Sequence, residues 1–218
     1  MSPEVKRWAQ KLKNAPNDIN VAIGFSKVLR KEKQFDEAIG VMMRATAQID
    51  NDPRVIAELG KILVERGAPE EGLALLDQAT PRLSTDWTIM SARGVALDQL
   101  ERHTEAQDAF EQALTYSPDN PTVLANLGLS LAQEGRIGEA ENMLRRANEH
   151  PDANSTVALN LALILGLKGD FEESERIARA HLPPATVEEN MTYLRSLLSQ
   201  PVRWSRPTDE DFEKGPEY

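Results

Sequence analysis

One polar side chain stands unexplained by the pattern around it: Asn126, inside the apolar run VLANLGLSLAQ. Its amide can both donate and accept hydrogen bonds, so it can serve either a binding contact or a local bond of the scaffold. Few other residues have types and spacing that support chemistry. The three histidines, His103, His150 and His181, fall in a turn, at a helix end and in a broken small-residue position, with no paired spacing for a metal. There is no cysteine, which excludes disulfides, thiol catalysis and thiolate metal sites. The carboxylate pairs Glu70/Glu71 and Glu172/Glu173 follow turns and begin helices, where they favour the positive end of the helix dipole. No nucleophile motif, phosphate loop or dinucleotide fingerprint occurs. The chain is therefore read as a non-enzyme, with no catalytic, cofactor-binding or metal residues expected.

Composition points to a protein made of helices. Aromatics are 5% of the chain and Ala and Leu abound, which favours helices packed through small and branched side chains. The net charge of -10 argues against nucleic acid as a partner. That charge is uneven: the first 50 residues hold nine Lys/Arg against six Asp/Glu, the remainder sixteen against twenty-nine. A basic entrance can steer an acidic partner, or it can be a solvated surface with no such role. No apolar run reaches the ~18 residues of a membrane span. The opening MSPEVKRWAQ has neither the apolar core nor the cleavage site of a signal peptide.

What positions Asn126 is a period of 34 residues. Stepping from Gly128 by 34 gives Gly94, Gly60 and Ser26 behind and Ala162 ahead. Ala140 gives Ala106, Gly72, Ala38 and Ser174; Ala147 gives Ala113, Ala79 and Ala45, failing only at His181. A further column, Asp18, Asp52, Asp86, Asn120 and Asn154, holds a good helix N-cap in every unit. Pro53 and Pro121 follow two of these caps at the first helical position, where a missing N–H costs nothing. Each unit then reads as two helices. In the fourth, Leu124, Leu127, Gly128 and Leu131 share one face, QEGR at 133–136 breaks the helix, and Ala140, Met143, Leu144 and Ala147 line a second. Gly67, Gly135 and Gly169 occupy one turn column, from which Lys33 and Glu101 depart.

The ends predict caps, which helical arrays need to cover terminal apolar faces. Residues 1–17 read as an amphipathic helix with Val5, Trp8, Ala9 and Leu12 on one side. Residues 183–200 read as a capping helix opened by a Thr186–Glu189 capping box, with Val187, Met191, Leu194 and Leu198 as its apolar stripe. The five units span 18–182, and 201–218, charged and Pro-containing, is predicted to be a flexible tail.

These columns resemble the tetratricopeptide repeat: the period, the Leu-Gly steps at Leu59-Gly60 and Leu127-Gly128, the later Ala, and the bulky column Met42, Leu76, Phe110 and Leu144, weakened at Ala178. The family's early aromatic is replaced by Ala22, Ile56, Met90, Leu124 and Ala158. The resemblance implies an all-α, right-handed superhelical solenoid of about five repeats with capping helices at both ends. It also implies a groove lined by the first helices that takes extended or helical peptides. Its basic candidates are Lys27, Arg30, Lys31, Arg54 and Lys61. Its apolar ones are Leu129, Leu159, Leu163 and Leu167, unless the last three lie under the C-terminal helix as core. Asn126 and its counterpart 34 residues on, Asn160, fit a peptide-backbone clamp or a local bond to a neighbouring repeat. A clamp for a chaperone's terminal carboxylate fits poorly, because Thr122, Ala125, Thr156 and Leu159 stand where basic residues are needed.

Residues 90–200, above all the closing LPPATVEENMTYLRSLLSQP with its NMTYLR step at 190–195, are similar to the TadD family of repeat lipoproteins of tight-adherence (Flp/Tad) pilus assembly. That resemblance implies a periplasmic, outer-membrane-associated protein whose lipidated Cys has been removed, the membrane being met only through that anchor. Its implied partners are proteins of the pilus machine, the secretin among them, in a pilotin-like role without turnover. The alternative is a general peptide-binding adaptor or co-chaperone in the cytoplasm.

Overall fold

A computed structural model describes residues 1–48 and 51–199, and among these the regular structure is entirely helical. The tail expected over 201–218 lies outside the described residues. Twelve α-helices follow in order: α1 (Pro3–Asn14), α2 (Ile19–Lys31), α3 (Phe35–Gln48), α4 (Pro53–Arg66), α5 (Pro69–Ala79), α6 (Trp87–Gln99), α7 (His103–Tyr116), α8 (Pro121–Gln133), α9 (Ile137–Glu149), α10 (Ser155–Lys168), α11 (Phe171–Arg179) and α12 (Pro184–Ser199). The chain divides into two compact units, residues 1–161 and 162–218, with the boundary inside α10.

The helix starts follow from the caps. The side chains of Asp18, Asp52, Asp86, Asn120 and Asn154 each accept a hydrogen bond from an orphan amide of the first turn, at Asn20 and Val21, Arg54, Thr88, Thr122 and Val123, and Val157. Pro53 and Pro121 stand first in α4 and α8. The turn column is more regular in conformation than in sequence. Gly67, Gly135 and Gly169 have φ of 92°, 77° and 95°, and Lys33 and Glu101 adopt the same left-handed region at 58° and 60°. The fold thus imposes this turn even where a side chain must tolerate about 1–2 kcal/mol of strain.

In the first unit, α2/α3, α4/α5, α6/α7 and α8/α9 form antiparallel hairpins stacked in series. Small residues allow the close approach within each hairpin. A Cβ added at Gly72 would lie 2.9 Å from the carbonyl oxygen of Gly60 and 3.0 Å from the amide nitrogen of Val64, so backbone meets backbone there. The first helices also touch one another, α2 with α4, α4 with α6 and α6 with α8, and so form a continuous inner layer. Behind it lie the fully buried Met42, Leu76, Phe110 and Leu144, the bulky column read from the sequence. At the N-terminal end α1 packs on α2, burying Val5 and laying the Trp8 ring against Gly24.

The second unit carries its own contacts. The Ser174 hydroxyl donates to the Ala162 carbonyl at 2.6 Å, tying α11 to the middle of α10. From α12, Val187, Met191 and Leu194 are buried, with Leu194 against Gly166, and the Arg195 guanidinium lies 5.3 Å from the Phe171 ring centroid. Two expectations for this helix need correction. It begins at Pro184, so Thr186 lies inside the first turn and is not a cap; a proline, which lacks an N–H, opens the helix more easily. Leu198 is 47% exposed and leaves the stripe, because it sits in the last turn, beyond the packed residues of the helix.

Candidate functional site

Four successive first helices put one side-chain column on the inner layer: Lys27, Lys61, Val95 and Leu129, running from cationic to apolar. A second column contributes Glu58, Ala92 and Asn126. Together they line two adjoining cavities that share Val95 and Asn126. The larger, about 370 Å³, is walled by Lys27, Arg30, Glu58, Lys61, Trp87 and Asn126 among others. The smaller, about 240 Å³, is walled by Val95, Asp98, Asn126 and Leu129 among others. The geometry is that of an open cleft, suited to a few side chains of an extended segment.

Asn126 stands where the two cavities meet, half-buried, and its side-chain amide makes no hydrogen bond among the described residues. Asn160 is likewise half-buried and unbonded on α10, but it lines neither cavity. Of the two sequence readings for these amides, a local structural bond is not formed.

The basic end is less cationic than the sequence reading counted. Arg30 Nη1 donates to Glu58 at 2.8 Å, and Arg30 Nε forms an ion pair with Glu65 at 3.0 Å. The Ser26 hydroxyl also donates to Glu58, which is only 3% exposed. Burial pushes the Glu65 carboxyl above its usual range, against the pull of Arg30. Lys61 donates to the Thr88 hydroxyl, which in turn donates to the Asp86 cap at 2.6 Å. Burial lowers the Lys61 ammonium pKa, opposed by Asp86 and Glu58. Lys27 is exposed and has no ion-pair partner among the described residues.

The structure thus brings Lys27, Arg30, Lys61, Asn126 and Leu129 to one groove. Arg54 and Lys31, of the same unit, lie outside these cavity linings. Arg54 is at the start of α4, bound to its own cap Asp52 at 2.8 Å and to Asn20 at 3.2 Å. Lys31 is exposed at the end of α2, outside both cavity linings. Leu163 belongs to the second unit, where it is 44% exposed. The sequence reading missed Glu58, Glu65, Trp87, Thr88 and Val95. Stepping the Asn126 column back to Glu58, and the Leu129 column back through Val95, would have found two of them.

A Ser–Asp–His cluster sits at the wall of the smaller cavity. The Ser130 hydroxyl donates to Asp98 Oδ1 at 2.7 Å, and His103 Nδ1 lies 2.9 Å from the same oxygen. The carboxylate occupies the middle place, so no imidazole is available to take the hydroxyl proton, and Ser130 is fully buried. The cluster joins α6, α7 and α8 and has no catalytic order. Among the described residues no group of His, Asp and Glu is arranged to hold a metal.

Stacked helical hairpins lined on one face by their first helices define a helical-repeat scaffold. Residues 57–121 and 99–152 each match a family model described as a tetratricopeptide repeat. Repeats of this family bind proteins or peptides and are generally non-enzymatic. Comparison with curated protein sequences gives no match. Among solved structures, a thermophilic tetratricopeptide repeat protein of Thermus thermophilus is similar with a TM-score of 0.68 and 16% identity, over 80% of this chain and 97% of that one. PilF of Pseudomonas aeruginosa is similar with a TM-score of 0.67 and 16% identity, over 89% of this chain and 85% of that one. YrrB, a tetratricopeptide repeat protein with an unusual peptide-binding site, gives a TM-score of 0.54 and 14% identity, over 88% and 94%. At these identities the likeness is one of fold.

Proposed function

We propose that this chain is a non-enzymatic scaffold of Flp/Tad pilus biogenesis that holds an extended segment of another protein in its first-helix groove. The observation that carries the groove reading is the unbonded Asn126 amide between the two cavities. In the proposed mode this amide donates to and accepts from the segment's main chain. An acidic side chain meets the Lys27–Arg30–Lys61 end, and an apolar one meets Val95 and Leu129. Nothing in this mode forms or breaks a covalent bond.

The pilus assignment rests on the NMTYLR step at 190–195. Its Leu194 is buried, but Asn190 is exposed and Tyr193 is 66% exposed, so packing does not require those two residues. With that assignment the site of action is the periplasm, at the outer membrane, and the segment held comes from the secretin or another assembly protein. The protein should retain secretin in a pull-down from extracts of a Tad-piliated bacterium, read by blotting for secretin and pilus components. Recovery of cytosolic chaperones alone would replace the pilus role with the general cytoplasmic adaptor.

A further inference from the structure

The two carboxylates on Arg30 occupy different environments. Glu58 is buried, and it is held by both Arg30 Nη1 and the Ser26 hydroxyl. Glu65 is 44% exposed at the cavity wall, and it faces Arg30 Nε as an ion pair at 3.0 Å. Removing Arg30 from Glu58 would strand a charge in the protein interior, so that bond is kept. An ion pair with one partner partly open to water is weaker than a buried one, because solvent and salt compete for that carboxylate. Glu58 therefore fixes the guanidinium in place, while its Nε edge faces the cleft behind a replaceable anion.

We propose that Glu65 is a displaceable internal anion: a carboxylate side chain of the bound segment takes its place on Arg30, so Glu65 sets how tightly the groove holds acidic segments. This rests on the groove reading above. A guanidinium edge offers parallel N–H donors to a carboxylate, a geometry that favours the exchange. Lys27, unpaired at the same wall, and Lys61 across it offset the charge that enters. With Glu65 present, a stray anion gains little by binding. A segment that also engages Asn126 and Leu129 gains enough elsewhere to drive Glu65 off. The device thus adds selectivity by making the weak anion site conditional on the rest of the contact.

The test uses the full chain and a defined probe, the peptide acetyl-Asp-Glu-Glu-Leu-Val-Leu-amide, with an Asn-Gln-Gln version as its uncharged control. Binding is followed by NMR at the Arg30 Nε–Hε resonance in the wild type and in Glu65→Gln. The expected result is an affinity roughly threefold higher for Glu65→Gln, a shift of the Arg30 resonance on binding, and no such gain with the uncharged peptide. Thermal melting of Glu65→Gln should match the wild type. Equal affinities for the acidic peptide overturn the proposal, as does binding that leaves the Arg30 resonance in place. Failure of both proteins to bind the acidic peptide also overturns it. The groove reading survives each of these outcomes if the pulled-down partner still depends on Asn126.

Discussion

Phe110→Ala should cost about 3–5 kcal/mol of folding stability, read as a lowered urea midpoint with an unchanged slope. The ring is fully buried on α7. It occupies the space that Gly94 leaves open on α6: a Cβ at Gly94 would lie 2.5–2.7 Å from three of the ring's carbons. Truncation removes buried apolar area and leaves a cavity that rigid neighbouring helices cannot close. The paired change Gly94→Ala overpacks the same contact in the wild type, at about 1–3 kcal/mol. Combined with Phe110→Ala, the new methyl enters the cavity, and the two costs should sum to more than the double variant shows. A loss under about 1 kcal/mol for Phe110→Ala would mean that the hairpin does not depend on this contact, contrary to the packing described.

Arg30→Ala should destabilise by about 3 kcal/mol, the low end for a broken buried pair because Ser26 still donates to Glu58. Glu58 would remain 3% exposed with its charge uncompensated. The double change Arg30→Met with Glu58→Met replaces the pair by apolar groups of similar length. It should return stability to within about 1 kcal/mol of the wild type or above it. Thermal melts of the three proteins decide this. If Arg30→Ala melts like the wild type, the buried pair is not what holds the first repeat against the second. The double variant also keeps the fold while removing the guanidinium, so its loss of acidic-peptide binding can be read apart from stability.

Much of the fold was legible because the 34-residue columns are each imposed by one local requirement. The caps at Asp18, Asp52, Asp86, Asn120 and Asn154 must accept amide bonds. The Gly60–Gly72 contact tolerates no side chain. Lys33 and Glu101 were less legible: they break the glycine pattern yet adopt its left-handed turn, because stacking on neighbours outweighs local preference. At α12 the capping-box pattern at Thr186 misleads for the opposite reason, since Pro184 already opens the helical turn that contains it. The site was half legible. Lys27, Arg30, Lys61, Asn126 and Leu129 share the groove, but the carboxylates that offset its cations carry no mark in the sequence pattern. Glu58 and Glu65 come from α4 and meet Arg30 of α2 only when the helices stack, 28 and 35 positions apart in sequence. A one-dimensional reading does not see that pairing.

In the proposed function the first-helix groove holds a peptide segment through the Asn126 amide. Its most direct test is the affinity of the secretin or pilus protein recovered by pull-down for the wild type and for Asn126→Ala with Asn160→Ala, measured by calorimetry beside thermal melting of both proteins. Because neither amide is hydrogen-bonded among the described residues, the account predicts a melting temperature within about 2 °C of the wild type and a roughly tenfold weaker affinity. A lowered melting temperature with affinity intact would contradict it and make these asparagines part of the scaffold.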